Sequence, residues 1–188
     1  MSNMLLNKNE LFILGEFASD YHRRIYGREA AKKLKLNQKT VSNILKKLEK
    51  ENIVKFSFEG RNKYYFLNEF NSYIKEIIKA IEISRKVKFL SEHSKIEGLF
   101  ERLEQRTKGI LVIFGSYAKN SATEKSDLDI FILGSILDVK ELEELYKVKI
   151  NVVQLKRAKF DKNDHLIKEV IKNHIILKGV EEFVELVW

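Results

Sequence analysis

Residues 115–133 read GSYAKNSATEKSDLDIFIL, and this stretch decides the fold of the C-terminal half of the chain. It begins with Gly115-Ser116, directly after an apolar run at residues 110–114. Ten residues later it reaches Asp127-Leu128-Asp129, followed by a second apolar run at residues 130–133. Short, continuous apolar runs are typical of buried strands. The pattern predicts a strand, a Gly-Ser turn with a short helix, and two aspartates in front of a second strand.

The two aspartates of this stretch point to a metal site. The chain has only six aspartates, and aspartate is disfavoured in strands. A spacing of i and i+2 next to a strand directs both carboxylates to one face. Two neighbouring carboxylates repel each other unless a cation lies between them, and such oxygen ligands suit Mg²⁺ together with substrate phosphates. Asp127 and Asp129 are therefore the predicted metal ligands, and magnesium is the predicted cofactor.

The Gly-Ser pair complements the aspartates. Glycine lets the backbone approach a phosphate closely, and the Ser116 hydroxyl and the N–H groups that begin the next helix can bind phosphate oxygens. Other site chemistries are excluded or disfavoured by composition. The chain contains no cysteine, and its four histidines are scattered, so a disulfide or thiolate site is excluded and a histidine-built zinc site is disfavoured.

The order strand, Gly-Ser, short helix, Asp-x-Asp resembles the nucleotidyltransferase superfamily that includes DNA polymerase beta, and its spacing is similar to that of the minimal prokaryotic nucleotidyltransferases. The resemblance covers residues 94–188 and implies a mixed sheet flanked by helices. It also implies transfer of a nucleoside monophosphate from a nucleoside triphosphate to an acceptor hydroxyl. Some members are antitoxins that modify a tyrosine of a partner HEPN toxin. The nucleotide-binding residues implied here are Gly115, Ser116, Lys119 and Ser126.

Two positions depart from the family pattern. Asn151 aligns with the third carboxylate of the site, so the catalytic set becomes Asp127, Asp129 and Asn151. An amide ligates a metal weakly and cannot act as a base. Asn120 stands where the family usually has glycine. Two functions therefore stay open: an active transferase, or a non-enzymatic regulator whose degenerate transferase domain senses nucleotide or mediates assembly.

The net charge of +8 is distributed unevenly along the chain. Residues 1–70 have 14 basic and 8 acidic side chains, a net charge of +6, and residues 71–108 add +3. Residues 109–188 carry a net charge of −1. A basic N-terminal part indicates a polyanionic partner, most simply nucleic acid. A solvated lysine surface is the alternative interpretation.

The first seventy residues have the pattern of three helices and a hairpin. Apolar spacing predicts helices at residues 10–19, 27–34 and 38–51. Two strand-like runs, at residues 53–58 and 63–67, flank a turn that contains Gly60. The third helix turns Val41, Leu45 and other apolar residues inward, and its outer face is rich in amide, hydroxyl and ammonium groups.

This order resembles the winged helix-turn-helix domain of archaeal and bacterial transcription regulators over roughly residues 5–68. The resemblance implies that the third helix enters the major groove of double-stranded DNA and that the wing contacts the flanking backbone. A winged helix used for protein contacts, and a basic half that binds RNA, are the alternatives. The predicted base-contacting residues are Gln38, Thr40, Ser42 and Asn43, and the predicted phosphate contacts are Lys39, Lys46, Lys47, Arg61 and Lys63.

The chain is thus predicted to be an α+β protein of two domains. Residues 1–70 form the winged helix, residues 71–93 a linker helix, and residues 94–188 the nucleotidyltransferase domain. The linker has an isoleucine stripe formed by Ile74, Ile77, Ile78 and Ile81. That stripe is interpreted either as core packing or as a homodimer seam. Residues 1–10 lack the features of a signal peptide and no apolar run reaches membrane-spanning length, so a cytoplasmic location without membrane contact is expected.

Overall fold

The computed structural model describes residues 6–188 and divides the chain into two compact units. The N-terminal unit ends at Ile81, and the C-terminal unit comprises Glu82–Trp188. The division falls within helix α4 (Ile74–Glu92), whereas the sequence-based boundaries lie at residues 70 and 93. Residues 1–5, with which the predicted N-terminal domain begins, lie outside the described part of the chain.

The N-terminal unit contains three helices followed by a hairpin. Its strands form a sheet of order β1-β3-β2 in which both pairings are antiparallel. The first helix ends earlier than the sequence predicts, because a 3-10 turn begins at Gly15. Strand β1 has two residues, too few to show a period-two pattern in the sequence. The elements are α1 (Lys8–Leu14), β1 (Ile25–Tyr26), α2 (Gly27–Leu34), α3 (Gln38–Lys50), β2 (Val54–Glu59) and β3 (Asn62–Leu67).

The isoleucine stripe of α4 is buried within the chain. Each of its four members is at most 6% exposed in the single chain, which favours core packing over a homodimer seam for this stripe. The exposed apolar residues of α4 are instead Ile83 and Val87. In the described part of the chain no helix is both long enough and apolar enough to cross a bilayer.

The C-terminal unit is built on a four-stranded mixed sheet of order β6-β5-β4-β7. Strands β5 and β6 are parallel and are connected through helix α7, whereas the other neighbours are antiparallel. Apolar cores cover both faces, one with α5 and α7 and the other with α8 and α9. The elements after α4 are α5 (Glu97–Arg106), β4 (Thr107–Phe114), α6 (Gly115–Ala118), β5 (Leu128–Ile136), α7 (Lys140–Tyr146), β6 (Ile150–Leu155), α8 (His165–Lys172), β7 (Ile175–Lys178) and α9 (Val180–Val187).

The mixed sheet flanked by helices agrees with the sequence-based expectation, but one boundary differs. Strand β5 begins at Leu128, so Asp129 lies inside the strand and not in front of it. The reason is that the backbone of Asp129 pairs with neighbours on both sides, Phe114 of β4 and Asn151 of β6. These ladder contacts outweigh the weak intrinsic preference of aspartate against strands.

Candidate active site

The functional residues of the C-terminal unit lie in one row across neighbouring strands. The register places Asp129 of β5 directly beside Asn151 of β6. Asp127 comes two residues before Asp129, so its side chain points to the same face. The Nδ2 atom of Asn151 donates to Oδ1 of Asp129 at 2.9 Å and lies 3.4 Å from Oδ2 of Asp127. The structure therefore brings together the three side chains assigned to catalysis from the sequence.

Gly115 allows the Asp129 carboxylate to lie against the backbone. The φ angle of Gly115 is +68°, in the left-handed region that favours glycine. A Cβ atom at this position would stand 2.1 Å from Oδ2 of Asp129. Both the backbone conformation and the close approach therefore require glycine, which turns the chain from β4 directly into α6.

The loop between α6 and β5 is held by its own polar groups. The backbone N–H of Thr123 donates to Oγ of Ser126 at 2.9 Å, and the N–H of Ser121 donates to the carbonyl oxygen of Ser116 at 3.0 Å. Asn120, which replaces the glycine of the family pattern, has a φ of +54°. Asparagine tolerates that conformation, so the substitution keeps a backbone shape that glycine would also adopt. Ser126 shapes the segment that leads to Asp127.

A lysine adjoins the carboxylate pair. The Nζ atom of Lys149, one residue before β6, lies 3.2 Å from Oδ2 of Asp127. The side chains of Lys149 and Asp127 are 69% and 38% exposed, so this ion pair is open to solvent. Asp127 therefore has an ammonium partner and an amide partner, and Asp129 has the amide of Asn151.

A second ion pair holds the lysine assigned to the triphosphate. The Nζ atom of Lys119 lies 2.6 Å from Oε1 of Glu169 on α8, and Nδ2 of Asn173 donates to the same oxygen at 3.1 Å. The hydrogen bond from Lys119 is the largest cause that lowers the pKa of the Glu169 carboxyl, and Asn173 adds to it. Glu169 is therefore a charged partner of Lys119 at neutral pH.

Sequence reasoning missed two charged residues of this region. Lys149 precedes Asn151 by two residues, so strand alternation places both on one face, and that signal was available in the sequence. Glu169 lies 50 residues from Lys119, and no local pattern connects them. Only the packing of α8 against the sheet brings this acid to Lys119.

The oxygen atoms of Asp127 and Asp129 are compatible with a metal ion that has few protein ligands. Among the described residues no group of three or more His, Cys, Asp and Glu side chains forms a metal cluster. Two carboxylates nevertheless converge, and the third position is an amide. Mg²⁺ retains several waters and is commonly bound by one or two carboxylates plus substrate phosphates. Asp127 and Asp129 satisfy that requirement without a third acid.

Part of the chain is similar to known proteins. Residues 93–178 match the family model described as "Nucleotidyltransferase domain". A Methanocaldococcus jannaschii protein, MJ0128, provisionally named a protein adenylyltransferase, is 36% identical over 97 residues, which cover 50% of this chain and 85% of that protein. The chain belongs to the nucleotidyltransferase family. Both matches cover about half of the chain, and the family model lies within the C-terminal unit.

Two solved structures are also similar to this nucleotidyltransferase. One is a chain of a toxin-antitoxin crystal structure with AMP-PNP, with 22% identity, a TM-score of 0.37, and coverage of 50% of this chain and 78% of that chain. The other is AF1382 from Archaeoglobus fulgidus, with 22% identity, a TM-score of 0.33, and coverage of 48% and 92%. Likeness at this level does not bear on substrate or partner.

The residues assigned to DNA contact lie on α3 and on the β2–β3 hairpin. Helix α3 buries Val41, Leu45 and Leu48 and exposes most of the opposite face, where Ser42 is half-buried. Arg61 belongs to the hairpin turn, and Lys63 belongs to β3. The exposed members on α3 are Gln38, Lys39, Thr40, Asn43, Lys46 and Lys47.

The assigned cations of the N-terminal unit differ in their pairing. Lys47 lies 2.5 Å from the buried carboxylate of Glu10, whose hydrogen bond is the main cause that raises the pKa of Lys47. Lys63 lies 2.6 Å from Glu49, and although burial lowers the pKa of Lys63, its hydrogen bonds to Glu49 and Tyr65 raise it overall. No ion pair with a described residue involves Lys39, Lys46 or Arg61.

Proposed function

We propose that the C-terminal unit transfers a nucleoside monophosphate from a nucleoside triphosphate to a hydroxyl group of a protein. The convergence of Asp127 and Asp129 beside Gly115 carries this proposal. Family membership supports the reaction class. The name of the M. jannaschii relative supports a protein acceptor and an adenylyl group.

Asp127 and Asp129 would hold Mg²⁺ in this reaction. When bound, the cation would neutralise the charge of the triphosphate and stabilise the attacking and leaving oxygens. Gly115 and Ser116 would bind phosphate oxygens through their backbone N–H groups and through the Ser116 hydroxyl. Lys119 would exchange Glu169 for the triphosphate, because a phosphate is a stronger partner for an ammonium than an exposed carboxylate.

The proposed transfer reaction does not require Asn151 to act as a base. The acceptor oxygen attacks the α-phosphorus, the bond to the pyrophosphate leaving group breaks, and the proton of the hydroxyl leaves to water or to a site carboxylate. Phosphoryl-type transfer depends mainly on positioning and charge stabilisation. Asn151 cannot accept that proton, but its amide holds the Asp129 carboxylate in place at 2.9 Å. A transferase without a third acid is therefore consistent with the site.

Label transfer tests this proposal. The full-length protein is incubated with α-labelled ATP, Mg²⁺ and candidate acceptor proteins. We expect label on an acceptor, and we expect Asp127→Ala/Asp129→Ala to abolish it. Glu124→Ala is the matched control, because Glu124 is an exposed acid in the loop before Asp127. Absence of transfer to every acceptor, with nucleotide binding intact, would contradict the enzymatic proposal.

A second candidate function is favoured by the hydrogen bonds of Asn151. One amide lies within hydrogen-bonding distance of both carboxylates, and Lys149 offsets one of their two negative charges. Both carboxylates therefore have polar partners without a metal ion. A domain of this kind would sense nucleotide or mediate assembly without turnover. ATP binding that survives Asp127→Ala/Asp129→Ala, without transfer by the wild type, would favour this function.

We further propose that the N-terminal unit is a winged helix that binds double-stranded DNA in the cytoplasm. The support is the order of three helices and a hairpin, the exposed polar face of α3, and the net charge of +6 over residues 1–70. Phosphate contacts make binding depend on salt. Replacing Lys46 and Arg61 by alanine is expected to weaken binding to all duplexes and to flatten the salt dependence. Unchanged binding by this variant would contradict the assignment.

A further inference from the structure

Two exposed aromatic rings lie near the tip of the β2–β3 hairpin, beside the residues Arg61 and Lys63 that are assigned to phosphate contact. Phe58 is 65% exposed and Phe56 is 39% exposed. Their ring centroids are 5.5 Å apart in an edge-to-face arrangement. Phe58 directly precedes Glu59, which pairs with Asn62 across the turn. Grouped apolar side chains at the surface commonly mark contact sites, so the ring pair indicates a contact surface.

The rings lie on the side of the hairpin that faces the core. Strand alternation places Val54, Phe56 and Phe58 on one face, and Val54 is buried at 1% exposure. Exposure on that face therefore increases towards the tip. Lys63, which pairs with Phe58 in the register, is bonded to Glu49 of α3. The ring pair thus continues the surface formed by the C-terminal end of α3.

The charge around the rings indicates the class of partner. The Nζ atom of Lys63 stands 3.5 Å from the centroid of the Phe56 ring, a cation–π contact. Arg61 in the turn forms no ion pair with a described residue. Lys63 is paired with Glu49, and Glu59 at the tip is paired with Arg24, so the excess of positive charge comes from Arg61 and from the net charge of +6 over residues 1–70. That net charge favours a polyanion over a second copy of this chain. A polyanion with apolar faces between its charges, which is what stacked bases provide, suits both the cations and the rings.

We infer that Phe58 is an apolar wedge that enters duplex DNA between two base pairs from the minor groove, next to the segment bound by α3. This inference rests on the DNA binding proposed above. Apolar side chains in this position partly unstack one base step and bend the duplex by about 20–90°. Phe56 supports the inserted ring at its edge, and Arg61 contacts the flanking phosphates.

Bending of a labelled duplex tests the wedge. The full-length protein is titrated into an A·T-rich duplex of about three helical turns with central TA steps, which kink readily, and energy transfer between dyes at the two ends is measured. Binding of the wild type is expected to raise the transfer efficiency. Phe58→Ala is expected to lose that rise and to bind about ten-fold more weakly. Its salt dependence should stay unchanged, because no phosphate contact is removed.

Two further variants make the result specific. Phe58→Leu keeps an apolar side chain and should retain most of the bend. Phe70→Ala removes an 88% exposed ring outside the hairpin and should behave like the wild type. Because Phe58 is largely exposed, the thermal midpoint of Phe58→Ala should equal that of the wild type, which shows that the unit is folded.

The outcomes separate the wedge from DNA binding itself. If the wild type binds and Phe58→Ala bends the duplex equally, the wedge is overturned and DNA binding stands. If binding through Phe58 prefers the corresponding single strand, stacking on unpaired bases replaces the wedge. If the wild type binds no duplex, both the proposed DNA binding and the wedge fail.

Discussion

The two units of this protein differ in how completely the charged residues assigned to their functions are paired. In the nucleotidyltransferase unit the charged groups of the site are paired internally, Asp127 with Lys149 and Lys119 with Glu169. On α3 of the N-terminal unit, Lys46 has no ion pair with a described residue, whereas its neighbour Lys47 is bonded to buried Glu10. Neighbouring lysines therefore differ in the acid that folding brings to them. We expect Lys47, paired with a buried acid, to be structural and Lys46 to be functional.

The largest expected effect is the loss of nucleotide transfer when a site carboxylate is removed. Asp129→Ala should reduce nucleotide transfer on the order of a hundred-fold or more, because charge stabilisation at the transferred group is lost. DNA binding by the same variant should equal that of the wild type. Label transfer and fluorescence anisotropy on one preparation check both statements. A joint loss of the two activities would contradict their assignment to separate units.

Substitution of the turn glycine should have the next largest effect. Gly115→Ala places a Cβ 2.1 Å from Oδ2 of Asp129 at a φ of +68°. We expect destabilisation by about 1–3 kcal/mol and a large loss of transfer, measured by denaturant unfolding and label transfer. Gly15→Ala is the matched control. Gly15 has a φ of −58° and open space at Cβ, so this change should be neutral or slightly stabilising.

Two adjacent lysines of α3 allow a paired and an unpaired lysine to be compared within one helix. Lys47→Ala should lower the thermal midpoint of unfolding by several degrees, because Glu10, 1% exposed, loses its cation. Lys46→Ala should leave the midpoint unchanged and weaken DNA binding with a smaller salt slope. Calorimetry and binding at several salt concentrations distinguish the two. Equal behaviour of the two variants would remove the distinction between structural and functional lysines.

The smallest expected effect concerns the acid that competes for Lys119. Glu169→Gln should lower the KM for the nucleoside triphosphate by a factor of about 1.4 to 5, because an exposed ion pair of this kind contributes about 0.2–1 kcal/mol. The kcat should change little. Glu182→Gln, which breaks a comparable exposed pair with Arg157, is the control and should leave KM unchanged. A raised KM in Glu169→Gln would show that Glu169 positions Lys119 and does not compete with the substrate.

The sequence was sufficient to predict the structure in segments where the local apolar pattern and the side-chain chemistry indicate the same element. The apolar runs around Gly115-Ser116 and Asp127-Leu128-Asp129 predicted two buried strands and a carboxylate pair. The structure pairs these strands and places the carboxylates together beside Asn151. The helix at Gly27–Leu34 also has its predicted bounds. In these segments, periodicity, turn residues and hydrogen-bonding needs all favour the same structure.

The sequence was insufficient where long-range packing decides. The pairing of Lys119 with Glu169, and of Lys47 with Glu10, joins residues that are distant in the chain. The isoleucine stripe of α4 has the same pattern whether it faces a second copy or the core of its own chain. Only the position of α4 in the fold shows that the stripe is buried.

A crystal structure with Mn²⁺ and a non-hydrolysable ATP analogue tests the central claim most directly. We expect an anomalous peak bound by Asp127 and Asp129, phosphates against Gly115 and Ser116, and Lys119 turned from Glu169 to the triphosphate. The contradictory result is a bound nucleotide elsewhere, with no peak at the carboxylates and with the amide of Asn151 still in contact with both of them.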